Sequence, residues 1–189
     1  MNAIMTRLGQ DHVRLRRVLD LLEELLDRFH EGEEPDYELM DELLEYMDSY
    51  ADIVHHPTED LIFQRLIDKG VEPSEVFAIP MRQHAGLSQL AKQFRESLRG
   101  ILSEEVLLRE DVEAAGRALV GNQRGHLIQE EREAFPLALE QLTGADWAEI
   151  EAAAPSAEDP VFGTPDPQRF RALYRRLVEQ AHHANETSE

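Results

Sequence analysis

Apolar residues recur every three to four positions along most of this chain, the period of an amphipathic helix. From about Thr6 to Phe29, the residues Leu8, Leu15, Val18, Leu19, Leu22, Leu25, Leu26 and Phe29 form one stripe. The segment EGEEPDY interrupts it. A second helix is expected to start near Pro35 and Asp36, because proline and acids suit a first helical turn. It runs to about Asp68, with Gly70 as its stop and a kink at Pro57. Ser74 is placed to cap a third helix, whose stripe passes Met81, Leu87, Ala91, Phe94 and Leu98 to Gly100. The fourth starts between Ser103 and Asp111, passes Leu119 and Leu127, kinks at Pro136 and ends at Leu142, before Thr143 and Gly144. No segment alternates with period two, so no sheet is expected. Four long helices with short connections predict an all-α, up-down-up-down four-helix bundle over residues 1–144.

Residues 145–189 read differently, as a C-terminal extension. ADWAEIEAAA suits a short helix, and PSAEDPVFGTPDP a loop rich in proline and acid. PQRFRALYRRLVEQ suits a final helix with Phe170, Leu173, Tyr174 and Leu177 on one face, and HHANETSE a frayed tail. The final helix is expected to pack on the bundle or on a partner chain. Arg169, Arg171, Arg175 and Arg176 make it a docking element for a partner protein or a lid on the bundle.

Composition narrows the function. The 189 residues carry 19 Lys plus Arg against 39 Asp plus Glu, a formal charge of -20. Such a surface repels nucleic acid and anionic membrane, so neither is expected as a partner. The absence of cysteine excludes disulfides, thiolate metal sites and thiol catalysis. The N-terminus shows no signal-peptide pattern, and no stretch approaches the ~20 apolar residues of a membrane span. The expectation is a soluble, cytoplasmic protein, monomeric or homodimeric.

The informative residues are the polar ones that interrupt the stripes. HHPTED, at 55–60, puts two histidines, a proline and two acids inside a helix. His55 and Glu59 are four apart and share a helix face. The chain repeats this: His12 in DHVRL and His84 in QHAGL are 72 positions apart, and His55 and Glu59 stand 71 before His126 and Glu130 in HLIQEE. Each half is thus a helical hairpin carrying one lone histidine and one His-x-x-x-Glu pair. Core packing would repeat leucines and has no reason to repeat histidine and glutamate.

In an antiparallel bundle the start of one helix lies beside the end of the next. All six side chains can then meet at one level, provided they face inward. Buried charged groups are normally paired or metal-bound, so a metal cluster is the natural account. Four imidazoles and two carboxylates suit iron or manganese, and less specifically zinc or nickel. Two symmetrically placed carboxylates can bridge two metals. Alone, His12 or His84 would read as an ordinary core histidine. His56 offers a rival pair with Asp60, but the repeat aligns His55 with His126, which leaves His56 at the rim as an outer neighbour of the site. Tyr50, and Tyr46 one turn earlier, are within reach as hydrogen-bond donors, with bundle packing as the plainer account. Asp60 and Glu131 read as solvated acids, His30 as a favourable cation at a helix C-terminus, and Phe63 and Phe135 as walls of the site or plain core.

With DHVRL, HHPTEDLIF, QHAGL and HLIQEEREAFP, the chain resembles the hemerythrin-like, HHE cation-binding proteins of bacteria over roughly residues 6 to 142. The resemblance implies a non-heme di-iron centre, bridged by an oxo or hydroxo oxygen and two carboxylates. Its metal ligands would be His12, His55, Glu59, His84, His126 and Glu130, with zinc or manganese as substitutes. Oxygen-carrying hemerythrins have a fifth histidine four residues before the third-helix ligand, and here that position is Pro80. That departure sets simple oxygen carriage in doubt. The repair-of-iron-centres relatives typically carry cysteines, which this chain lacks.

The function expected is binding or sensing of a small diatomic ligand, O2 or NO. The alternatives are a di-iron enzyme acting on peroxide or nitric oxide, an iron-handling or stress-repair protein, and structural zinc.

Overall fold

Capping chemistry sets where the bundle helices begin and end. The computed structural model describes residues 2–186. Helix α1 (Ala3–His30) starts where Asn2 Oδ1 accepts from the Met5 amide at 3.2 Å. Helix α2 (Tyr37–Tyr46) starts where Asp36 Oδ1 accepts from the Leu39 amide at 3.0 Å. It continues through a π-helical stretch, Met47–His55, into α3 (His56–Asp68), so the three form one bundle helix. Gly70, at φ 69°, closes it. Helix α4 (Glu75–Leu102) is the third bundle helix. The Ser74 side chain, expected to cap α4, makes no capping bond; its own amide is taken up by Glu72 Oε2 at 2.9 Å. The fourth bundle helix comprises α5 (Arg109–Gln129), a π-helical turn Glu130–Ala134, and α6 (Phe135–Gln141). No strand occurs among the described residues.

A wide turn precedes each of the two prolines expected to kink a helix, Pro57 and Pro136. A proline inside a helix lacks an N–H and crowds the carbonyl four residues back. Just before Pro57 the His56 amide bonds to Ala51 O, and just before Pro136 the Phe135 amide bonds to Glu130 O. Both reach five residues back instead of four, so the helix widens and does not break. Such π turns are frequent at functional sites.

α1 packs against the second and fourth bundle helices, and α4 packs against the same two. Chain neighbours are therefore spatial neighbours, which is the up-down-up-down arrangement. The apolar interior falls into two clusters. One is built around Leu15, Leu22, Leu43, Phe94 and Leu119, and the other around Leu8, Phe63, Phe77, Phe135 and Ala138. His12 lies between Leu8 and Leu15 on α1, so the polar level is sandwiched between two dry layers.

Helix α7 (Gly144–Ala153) lies against α3, and α8 (Arg171–Glu186) against α2. Val161, Phe170, Ala172 and Leu173 join the first apolar cluster. The Glu42 carboxylate of α2 receives the amides of Ala172 at 3.1 Å and Leu173 at 2.7 Å, so the bundle supplies the N-terminal cap of α8. Tyr174, expected on the buried face, is 42% exposed, because it follows Leu173 by about 100° around the helix. Arg169, Arg171, Arg175 and Arg176 pair with Glu45, Glu38, Asp36 and Glu24 of the bundle. Where a frayed tail was expected from residue 182, α8 continues to Glu186, and residues 187–189 lie outside the described residues.

Candidate metal centre

His12, His55, Glu59, His84, His126 and Glu130 converge from all four bundle helices and are buried, none more than 7% exposed. Helical spacing aligns the two repeated pairs. His55 Nε2 lies 3.2 Å from Glu59 Oε1, and His126 Nε2 lies 3.3 Å from Glu130 Oε2. The carboxylates sit at the centre. Glu59 Oε1 is 3.2 Å from His12 Nε2, while its Oε2 is 3.6 Å from His84 Nε2. Glu130 Oε2 is 3.5 Å from His12 Nε2, and its Oε1 is 3.5 Å from His84 Nε2. Each carboxylate thus faces imidazoles from both halves of the repeat.

Each histidine presents Nε2 inward and holds Nδ1 against an acceptor. His12 Nδ1 meets Glu131 Oε1 at 2.9 Å, and His84 Nδ1 meets Asp60 Oδ1 at 2.8 Å. His126 Nδ1 meets Gln83 Oε1 at 2.9 Å, and His55 Nδ1 meets Asp11 Oδ2 at 3.4 Å. An acceptor on Nδ1 fixes the tautomer that leaves a lone pair on Nε2, the arrangement of metal-ligating histidines. Glu131 and Asp60, expected to be solvated acids, orient two of the four rings. Asp11 and Gln83 were not singled out from the sequence. Their one signal is that each immediately precedes a lone histidine.

His56, placed at the rim by the sequence reading, is 4% exposed, and its Nδ1 meets Asp52 Oδ1 at 3.1 Å. Tyr50 donates to Asp11 Oδ1 at 3.2 Å and so touches His55 through one carboxylate. Arg14 and Tyr46 extend the chain outward. Arg14 lies 3.3 Å from Asp11 Oδ1 and 3.2 Å from Asp159 Oδ2, which also accepts from Tyr46 at 2.9 Å. The loop before α8 is thereby tied to the site through the half-buried Arg14. Phe135 packs on His12 with ring centres 5.0 Å apart, and Phe63 lies behind it at 6.5 Å. His30 is at the surface beside Glu113.

The chemistry of the donor set fits a cation. Nε2 of His55, His56, His84 and His126, Glu59 Oε2 and both Glu130 oxygens are buried without a hydrogen-bond partner. So many unpartnered polar atoms in a dry interior are costly unless a bound group satisfies them, and imidazole nitrogens with carboxylate oxygens are the donor set of a cation. The donors of His56, Glu59, His84 and His126 lie within 4.8 Å of one another, as do those of His12, His55 and Glu59. Two nitrogens about 2.1 Å from one ion are at most about 4.2 Å apart, so little closure is needed.

Titration reflects the same crowding. Burial and the repulsion of Glu59 push Glu130 up to about 7. Burial also disfavours the Glu59 anion, but His55 and His12 outweigh it and hold that carboxyl well below its ordinary value. Burial would lower His55, yet Glu59 and Asp11 raise it to about 10; His84 is likewise raised to about 9 by Asp60 and Glu130. His126, whose Nδ1 partner is a neutral amide, is pushed down to about 2 by burial and by His84.

Comparison with known proteins agrees with this geometry. A family model described as the hemerythrin HHE cation binding domain matches residues 3–138. No curated protein and no solved structure matches the chain.

Proposed function

We propose that this chain, which belongs to the hemerythrin HHE cation-binding family, holds two iron ions and uses them to bind or sense a diatomic molecule, O2 or NO. The observation that carries the reading is the set of inward, unpartnered imidazole nitrogens and carboxylate oxygens. His12, His55, His84 and His126 are the imidazole ligands, and Glu59 and Glu130 the shared carboxylates. An iron pair, when bound, supplies a redox-active position for a small ligand. The protein supplies the rest. Glu131, Asp11, Asp60 and Gln83 hold the rings in orientation. Phe63 and Phe135 close one side of the polar level against water. No helix among the described residues is long and apolar enough to cross a membrane.

The test is metal content and an ultraviolet-visible spectrum on protein purified without added metal. The protein should carry about two irons per chain, with oxo-to-iron bands that vanish in a His55→Ala/His126→Ala variant. Reversible spectral changes with O2 or NO would support ligand binding. Steady turnover of peroxide or nitric oxide would instead mark an enzyme, and ready transfer of iron to an apo-protein would mark iron handling. Redox-silent zinc would sink the di-iron reading.

A further inference from the structure

His56 shares two features with His55, His84 and His126: a held Nδ1 and an unpartnered, buried Nε2. Its Nδ1 is held by Asp52 at 3.1 Å, one turn back on the same helix. Its Nε2 is buried and has no hydrogen-bond partner. A buried histidine kept only for packing gains nothing from leaving a ring nitrogen unsatisfied. The ring stacks on His84, with centres 4.3 Å apart and planes 12° from parallel, and meets His126 edge-on at 5.7 Å. Helix geometry explains how neighbours in sequence serve different places. His55 and His56 project about 100° apart, so His55 turns toward His12 (ring centres 5.0 Å apart) and His56 toward His84 and His126.

We infer that His56 is a fifth imidazole ligand, grouped with His84 and His126 around one ion, while His12 and His55 serve the other. Glu59 and Glu130 stand between the groups. The inference rests on the metal-binding reading above and deepens it. α4 contributes a single imidazole, because position 80, one turn before His84, is proline. The second bundle helix therefore supplies two. The two places differ by one imidazole, and the His12–His55 side is the less furnished, which makes it the side for an incoming diatomic ligand.

A pocket of about 190 Å³ reaches His56 from the surface, lined also by Asp52, Pro57, Asp60, His84 and Ser88. It gives external imidazole a route to a vacated position. The experiment compares the wild type, His56→Ala and the surface control His30→Ala, each stripped of metal and titrated anaerobically with Fe(II). Mössbauer spectra are recorded after oxidation. The wild type should bind about two irons, with two distinct doublets. His56→Ala should bind one of them at least about tenfold more weakly, with one doublet changed and the other kept. Added imidazole should reverse both effects.

If the wild type binds no iron, the underlying reading fails. If it binds two and His56→Ala matches it in affinity and spectrum, His56 is not a ligand. Should His56→Ala not fold when stripped of metal, the wild type loaded with Zn(II) decides by nitrogen-15 NMR. There, five metal-shifted Nε2 resonances support the inference, and four with His56 unshifted overturn it.

Discussion

Asp11 Oδ2 lies 3.4 Å from His55 Nδ1, with both side chains wholly buried. The same carboxylate takes the Tyr50 hydroxyl and lies against Arg14, so one acid orients a ring of the site and ties it to two neighbours. Removing that charge should weaken the site without dismantling the bundle. Asp11→Asn is expected to lower affinity for iron about 10- to 100-fold, the usual cost of losing an outer partner of a ligand. Competition against a chelator reads this directly, and an affinity equal to the wild type would show that Asp11 does not position His55.

Asp159 carries that network into the loop before α8. It accepts from Tyr46 and Arg14 and from the amides of Val161 and Phe162, at 2.9 and 2.8 Å. The fold around it is close: a Cβ at Gly163 would stand 2.7 Å from Asp159 O, so glycine is required there. Asp159→Ala leaves buried donors unpaired, each at about 1–3 kcal/mol. Urea unfolding should show a loss of at least that size, with faster proteolysis between residues 155 and 170. Unchanged cleavage would mean that the loop is held by Val161 and Phe170 alone.

Glu42 caps a helix other than its own. Glu42→Ala should cost about 1–2 kcal/mol, the range for a lost N-terminal cap. The loss should appear as easier hydrogen exchange in α8, with little change in α1 or α4. Protection lost evenly across the bundle would contradict a local role.

Metal uptake should depend on pH with a definite sign. In the metal-free protein the histidines His55, at about 10, and His84, at about 9, are protonated at pH 7, and Glu130, at about 7, is half so. A proton and a metal ion compete for the same lone pair. Affinity should therefore rise with pH from about 6 to 10 and fall as pH drops through 7, with roughly two to three protons released per chain near neutrality. Calorimetry in buffers of different ionisation enthalpy counts those protons. Zero release at pH 7 would show that the imidazoles are already neutral.

The sequence alone determined the bundle and its six central polar residues. Leucine spacing marks one face of each helix, and a His-x-x-x-Glu pair stays on one face whatever the tertiary context, because four residues are close to one helical turn. The twofold repeat then put equivalent groups at one level. Tertiary structure decided what crosses between helices. Glu131 reaches His12 and Asp11 reaches His55 only once the helices are assembled, so both acids look like ordinary surface charge in the sequence. The repeat points to a rim position for His56, because its other half has Leu127, not a second histidine, at that place. Its inward position depends on the rotation of the second helix about its axis, which the wide turns before Pro57 help to set. Periodicity fixes angles within one helix, but only packing fixes how that helix is turned toward its neighbours.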